Sequence, residues 1–293
     1  MSDVLPGKVP ILESAGVGFS YLKTHWAKWL PAIGILSLIA GWHEWRVLGS
    51  TSLNFVSIGT FCVWQLVNIM MVAGVYRDAL RKEFAAPLGL TFGRDEVNLV
   101  GVFLCFFLIF GVSGFFVAFI LTAALFGLVA NAGLDPSLAD SNPEEFSRQL
   151  VEAMGSAGGL LVLLIGITVL FAFLFTLIRL TLAHVATVAR GRILIFQTWA
   201  WTKGNFWRIF ATLLLIGLPI GLIGGIVSSV LNSIILSGAA EGGQSAIVLI
   251  IAGAVAHFPE GIALVAWTAT TAHLYVGLQQ SDDENSEGPI ALD

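Results

Sequence analysis

The chain is cut into apolar blocks of the length a lipid bilayer demands, and this pattern constrains its fold more than any other feature. A helix rises about 1.5 Å per residue, so about 20 apolar residues cross a hydrocarbon core roughly 30 Å thick. Blocks of this kind lie at residues 29–48, 53–75, 97–130, 158–188, 206–236 and 261–278. With 57% hydrophobic residues, 11% charged residues and a mean hydropathy of +0.89, a soluble fold of 293 residues would lack the polar surface to cover itself. The sequence therefore predicts an all-α polytopic membrane protein with about six transmembrane helices, arranged as three hairpins that each follow an interfacial cytoplasmic segment. Residues 1–278 are read as one integral membrane domain.

Two of the six blocks need a decision about their limits. The first apolar run, 29–42, is short and meets His43, Glu44, Trp45 and Arg46, so it spans only by continuing to Leu48 with some tilt. The last run, 246–278, exceeds one crossing and is interrupted by His257, Phe258, Pro259, Glu260 and Gly261. The expected span is thus 261–278, with 246–258 a shorter segment at the outer interface. Blocks 97–130 and 158–188 are also long, and tilt or extension beyond the membrane accommodates them.

The basic residues orient these spans, because Lys and Arg are retained on the cytoplasmic side. Lys8, Lys23 and Lys28 precede the first span. Arg77, Arg81, Lys82 and Arg94 lie between the second and third, and Arg179, Arg190, Arg192, Lys203 and Arg208 lie toward the connection from fourth to fifth. Of the 14 basic residues only Arg46 and Arg148 fall on the other side. Both termini are accordingly expected in the cytoplasm, and no signal-peptide pattern precedes the first span. The acidic tail 279–293 is expected to be disordered. Ser141, Asn142, Pro143, Glu144 and Glu145 read as a capped helix start within the largest outer loop. The net charge of −5 arises from that loop and the tail, so no nucleic-acid partner is implied.

Two helix starts share an anchoring pattern. Lys23, Trp26 and Lys28 lead into the first span, and Lys203, Trp207 and Arg208 lead into the fifth. Aromatic rings at headgroup level beside basic side chains suit an anionic leaflet, which makes these six residues candidate lipid-headgroup anchors. The segments Arg179-Leu180, Leu182-Ala183, Trp199, Trp201 to Phe210 and Leu213 to Pro219, with Phe92 to Glu96 before the third span, resemble a known family. It is the integral membrane domain fused to some bacterial glycerophosphoryl diester phosphodiesterases, together with stand-alone relatives. The resemblance loosely covers residues 15–278 and implies a bacterial inner-membrane location and a lipid-related setting. The soluble phosphodiesterase barrel of the fused members is absent, so no catalytic residue carries over.

His257 and Glu260 form the candidate polar site, since ionisable residues beside a proline in an apolar run are uncommon and costly. Counting back from Leu278 places Glu260 about 27 Å along the helix, near the outer interface. The bland alternative is a solvated carboxylate beside a proline that starts a helix. Arg179 and His184 are offset by about 140° on one continuous helix, and snorkelling accounts for Arg179. Gln65 and Asn68 suit interhelical hydrogen bonds. His184 and His273 make no case for haem, Cys62 and Cys105 sit in apolar runs, and no metal or other cofactor is expected. No phosphate loop, zinc-protease helix or nucleophile elbow occurs, so the sequence identifies no enzyme. Expected partners are membrane lipids and, for a second reading, other membrane proteins. The leading function is lipid-related transport or envelope support; the second is a structural or assembly subunit of a membrane complex, drawn from small-residue spacings such as Gly221 to Gly225 and Gly111 to Gly114.

Overall fold

The computed structural model describes residues 8–48, 55–85, 87–135, 137–155, 157–240 and 245–286. Among them the secondary structure is helical without strands: α1 (Ile11–Leu48), α2 (Phe55–Arg81), α3 (Arg94–Asn131), α4 (Leu138–Ser141), α5 (Pro143–Met154), α6 (Ala157–Leu180), α7 (Ala183–Arg190), α8 (Gln197–Trp201), α9 (Phe206–Ala240) and α10 (Ala246–Ser286). This is an all-α polytopic fold. Five segments are long and apolar enough to cross a membrane, namely α2, α3, α6 continued by α7, α9 and α10. The sixth long helix, α1, is not among them, because charged and polar residues flank its short apolar run.

The chain divides into two compact units. One comprises residues 1–102 and 179–293, the other Phe103–Ile178. In the first, α1 is the central helix and packs against α2, α9 and α10. It runs antiparallel to α10, with Gly18 beside Ala266 and Thr270 and Gly41 beside Ile250 and Ala254. It is antiparallel to α2 as well, since Tyr21 meets Asp78 at one end and His43 meets Thr60 at the other. Trp29, Ala32, Ile33 and Leu36 of α1 are buried with Met71 and Val75 of α2 and Val265 and Ala269 of α10. Ala15, Ile216, Ile220 and Ala266 form a second cluster that includes α9.

Lipid tails are as apolar as leucine, so helices in a membrane associate through close packing and hydrogen bonds rather than hydrophobic burial. The seam between α1 and α10 shows this. A Cβ on Gly41 would lie 2.3 Å from the Ile250 carbonyl oxygen, and one on Gly253 would lie 2.8 Å from Gly41 Cα. The two backbones touch there.

At the opposite end of this unit from His43 the helices are joined by charge. Asp78, buried on α2, receives Lys28 Nζ at 2.5 Å and the Tyr21 hydroxyl, while Trp29 Nε1 donates to Tyr21 at 3.2 Å. Arg77 pairs with the fully buried Glu96 at 2.6 Å, and Arg81 pairs with Asp95 at 3.1 Å and donates to the Val188 carbonyl. Glu96 also accepts from the Gly93 amide at 2.8 Å, satisfying an orphan donor where α3 begins.

In the second unit, α5 starts as its sequence predicts. Asn142 Oδ1 caps the Glu145 amide, Pro143 occupies the first turn, and Arg148 pairs with Glu145 at 2.7 Å and Glu152 at 3.0 Å. Those bonds from Arg148 hold the Glu145 carboxyl below its ordinary range. Along the hairpin, Phe110 of α3 meets Phe173 of α6 edge-on with centroids 4.9 Å apart.

The helix limits differ from the sequence reading in several places, the first being that α1 begins at Ile11 and carries Lys23, Trp26 and Lys28 within it. The expected break at His257 to Gly261 is absent, and α10 runs unbroken through Pro259. Proline removes one helical hydrogen bond, a loss that packed neighbours tolerate in a membrane helix. Here α1 supports the same stretch, with Gly253 on Gly41 and Gly261 on Ile33, while Pro259 lies beside Gly224 of α9. Block 158–188 is instead broken at Thr181 and Leu182 into α6 and α7. Arg179 and His184 therefore belong to different helices, and the offset computed for one continuous helix does not apply. At its C-terminal end α10 continues to Ser286, and the rest of the acidic tail lies outside the described residues.

Candidate functional site

His257 and Glu260 are three residues apart, so a continuous α10 carries them on neighbouring positions of one face. His257 Nδ1 lies 2.8 Å from Glu260, and Nε2 lies 3.4 Å from Glu44 Oε2 of α1. One imidazole thus stands between two carboxylates from two helices. A neutral imidazole has one donor and one acceptor nitrogen, so only its doubly protonated form can offer an N–H to each acid. Glu44 Oε2 makes no hydrogen bond of normal geometry, so a protonated His257 at 3.4 Å would compensate its charge.

The cluster borders an open-sided cavity of about 370 Å³ between three helices. Leu36 and Ala40 come from α1, Trp64 and Asn68 from α2, and His257, Glu260, Gly261, Ala263, Leu264 and Trp267 from α10. These positions recur at intervals of three and four, so each helix contributes one stripe. Glu44 continues the α1 stripe. The walls are largely apolar or aromatic, and no Lys or Arg lines them. At the polar end the Glu260 side chain is 63% exposed and the His257 side chain 25%. Nearby, His43 Nδ1 is 2.8 Å from Thr60 Oγ1, and its ring stacks 6.0 Å from that of Trp64. Trp64 in turn lies 6.2 Å from the His257 ring.

The expected polar pair is thereby joined by residues the sequence did not single out as a site: His43, Glu44, Trp64 and Trp267. Asn68 faces the cavity. Pro259 does not start a helix, and Glu260 has fourteen helical residues before it, about 21 Å of helix. The reading of Glu260 as a carboxylate at a helix start is corrected accordingly.

The six candidate anchors lie elsewhere in the same unit. Lys23, Trp26, Lys203 and Trp207 are exposed. Lys28 is engaged by Asp78 and sits 4.3 Å from the Phe84 ring centre. Arg208 Nη1 donates to the Val9 carbonyl at 3.1 Å, and the Val9 amide donates to Asn205 Oδ1 at 3.1 Å, tying the start of the described chain to α9. Arg179 donates to the Trp199 carbonyl at 3.0 Å and lies over the Trp199 ring. Among the described residues no group of His, Cys, Asp and Glu has the arrangement of a metal site. No protein-family model, curated protein or solved structure matches this chain.

Proposed function

We propose that this protein is a lipid-interacting component of a bacterial inner membrane, with both termini cytoplasmic, that holds an amphiphile in the cavity between α1, α2 and α10. The observation that carries this reading is the cavity itself, a space of about 370 Å³ with apolar and aromatic walls and a carboxylate–imidazole–carboxylate group at one end. Ligand sites commonly combine an apolar lining with a few convergent polar groups. The exposed Lys23, Trp26, Lys203 and Trp207 support a second, peripheral contact with anionic headgroups. The resemblance to the phosphodiesterase-fused membrane domain agrees with a lipid setting.

Gentle extraction followed by mass spectrometry of retained lipid tests this reading. A defined lipid should remain with the native chain and be lost when Ala263→Leu narrows the cavity. Equal retention by both forms counts against it.

A second reading, an assembly subunit, is favoured by one observation. A Cβ at Gly111, Gly114, Gly221 or Gly225 would meet nothing within 4 Å, so these small residues leave open strips where another helix can approach. A stoichiometric protein partner in the same extraction would support this reading, and a chain that leaves its membrane alone would remove it.

A further inference from the structure

We infer that the cavity between α1, α2 and α10 binds an ammonium group, the cationic end of an amine or quaternary-amine ligand. The inference deepens the lipid reading by naming the chemistry that the site selects.

Charge comes first. Glu44 and Glu260 flank one histidine, so with both carboxylates ionised the cluster is net negative by one unit even when His257 carries its proton. No Lys or Arg lines the cavity to cancel that charge. An anionic ligand would meet repulsion without a partner, whereas a cation would relieve the excess.

The walls then distinguish among cations. Trp64 and Trp267 both line the space, and indole faces attract ammonium groups through the ring quadrupole. A small metal ion would instead need several oxygen ligands at short range. Besides Glu260, the cavity supplies Asn68 as its side-chain oxygen ligand, together with apolar surface. Alkylated ammonium, weakly hydrated and able to contact aromatic faces, suits these walls better. The volume also accommodates a group of that size with alkyl substituents.

The ligand chemistry has two sources, a lipid headgroup or a free amine, and the test separates them. Radiolabelled choline is dialysed against the full-length protein in maltoside micelles, with tetramethylammonium, acetate and potassium as competitors. Saturable binding that tetramethylammonium alone displaces is expected. Glu260→Gln and Trp267→Leu should each weaken it at least tenfold, while Trp267→Phe, which keeps an aromatic face, should retain most of it. Glu152→Gln, an exposed carboxylate of α5 that does not line the cavity, should leave it unchanged. In a second arm, a single-chain lipid bearing choline is compared with the same chain bearing glycerol. Choline-lipid preference without soluble choline binding identifies a headgroup, and soluble choline binding identifies the bare cation as sufficient. Absence of both saturable choline binding and headgroup preference overturns the inference, as does equal binding by the native protein, Glu260→Gln and Trp267→Leu. Lipid retained with neither headgroup preference nor choline binding would leave the lipid reading intact and remove this one. Choline bound with no lipid retained on extraction would do the reverse.

Discussion

Gly41 of α1 and Gly253 of α10 meet backbone to backbone, so that a Cβ on Gly253 would fall 2.8 Å from Gly41 Cα. This contact fixes the distance between the two helices that carry Glu44 and His257. Gly41→Ala is expected to destabilise the protein by about 1–3 kcal/mol, because its new methyl meets the Ile250 carbonyl, which cannot swing aside like a side-chain tip. Gly111→Ala provides the contrast. It enters open space and removes a helix-weakening glycine, so it should be neutral or stabilising by up to about 1 kcal/mol. Thermal unfolding in detergent distinguishes the pair, and equal midpoints would refute the packing argument.

The same seam explains which parts of the site could be read from the sequence. Apolar length alone revealed the long helices, because the bilayer sets that length irrespective of tertiary contacts. His257 and Glu260 stood out because charge is scarce in the surrounding run. Their partners did not, because the helix was expected to break at Pro259. A continuous helix aligns His257, Glu260, Leu264 and Trp267 on one stripe, and the same spacing relates Trp64 to Asn68 and Leu36 to Ala40 and Glu44. The glycines that let α10 approach α1 closely carry no periodic signal of their own. Nor does sequence say that Lys28 faces Asp78, fifty residues away, rather than a headgroup.

Asp78 should be the most sensitive position at the Lys28 end. It is 5% exposed and receives Lys28 and Tyr21 on its two oxygens, so an amide there leaves the Lys28 cation without its counter-charge and sets an NH2 donor against one of the two donors. Asp78→Asn is expected to cost about 1.5–3 kcal/mol, the range for hydrogen bonds to charged groups. Lys28→Met combined with Asp78→Asn should cost less than the two single changes added together, since each single change strands the other's charge. Unfolding free energies for the four proteins measure this coupling, and strict additivity would show that the pair does not act as a unit.

Tyr21 predicts an alkaline limit to stability. Burial, followed by its hydrogen bond to Asp78, raises the phenol above its ordinary value of about 10. The folded state therefore favours the protonated form. That contribution is complete below the unfolded value, declines as pH rises past about 10, and is lost by the folded one. Tyr21→Phe should flatten the fall in stability above pH about 10 while losing some stability near neutrality. Unfolding midpoints across that range check the sign, and an unchanged alkaline slope would place the sensitivity elsewhere.

Arg208 and Lys203 share a basic, aromatic helix start but differ in what they touch. Arg208 holds the Val9 carbonyl while Asn205 holds the Val9 amide, so Arg208→Ala should loosen residues 8–14, detected as faster amide exchange there. Lys203 is exposed, and Lys203→Ala should leave that exchange unchanged while weakening association with vesicles of anionic lipid. Each exposed basic residue near a charged leaflet contributes about 1 kcal/mol, so the loss should approach fivefold at low salt and shrink as salt rises. If Arg208→Ala instead weakens vesicle binding with no change in exchange at residues 8–14, Arg208 serves the leaflet directly. The reverse result for Lys203 would assign it to the fold. Exchange reports the internal bond and salt-dependent binding reports the external one, so the two measurements separate the roles even if both variants are less stable.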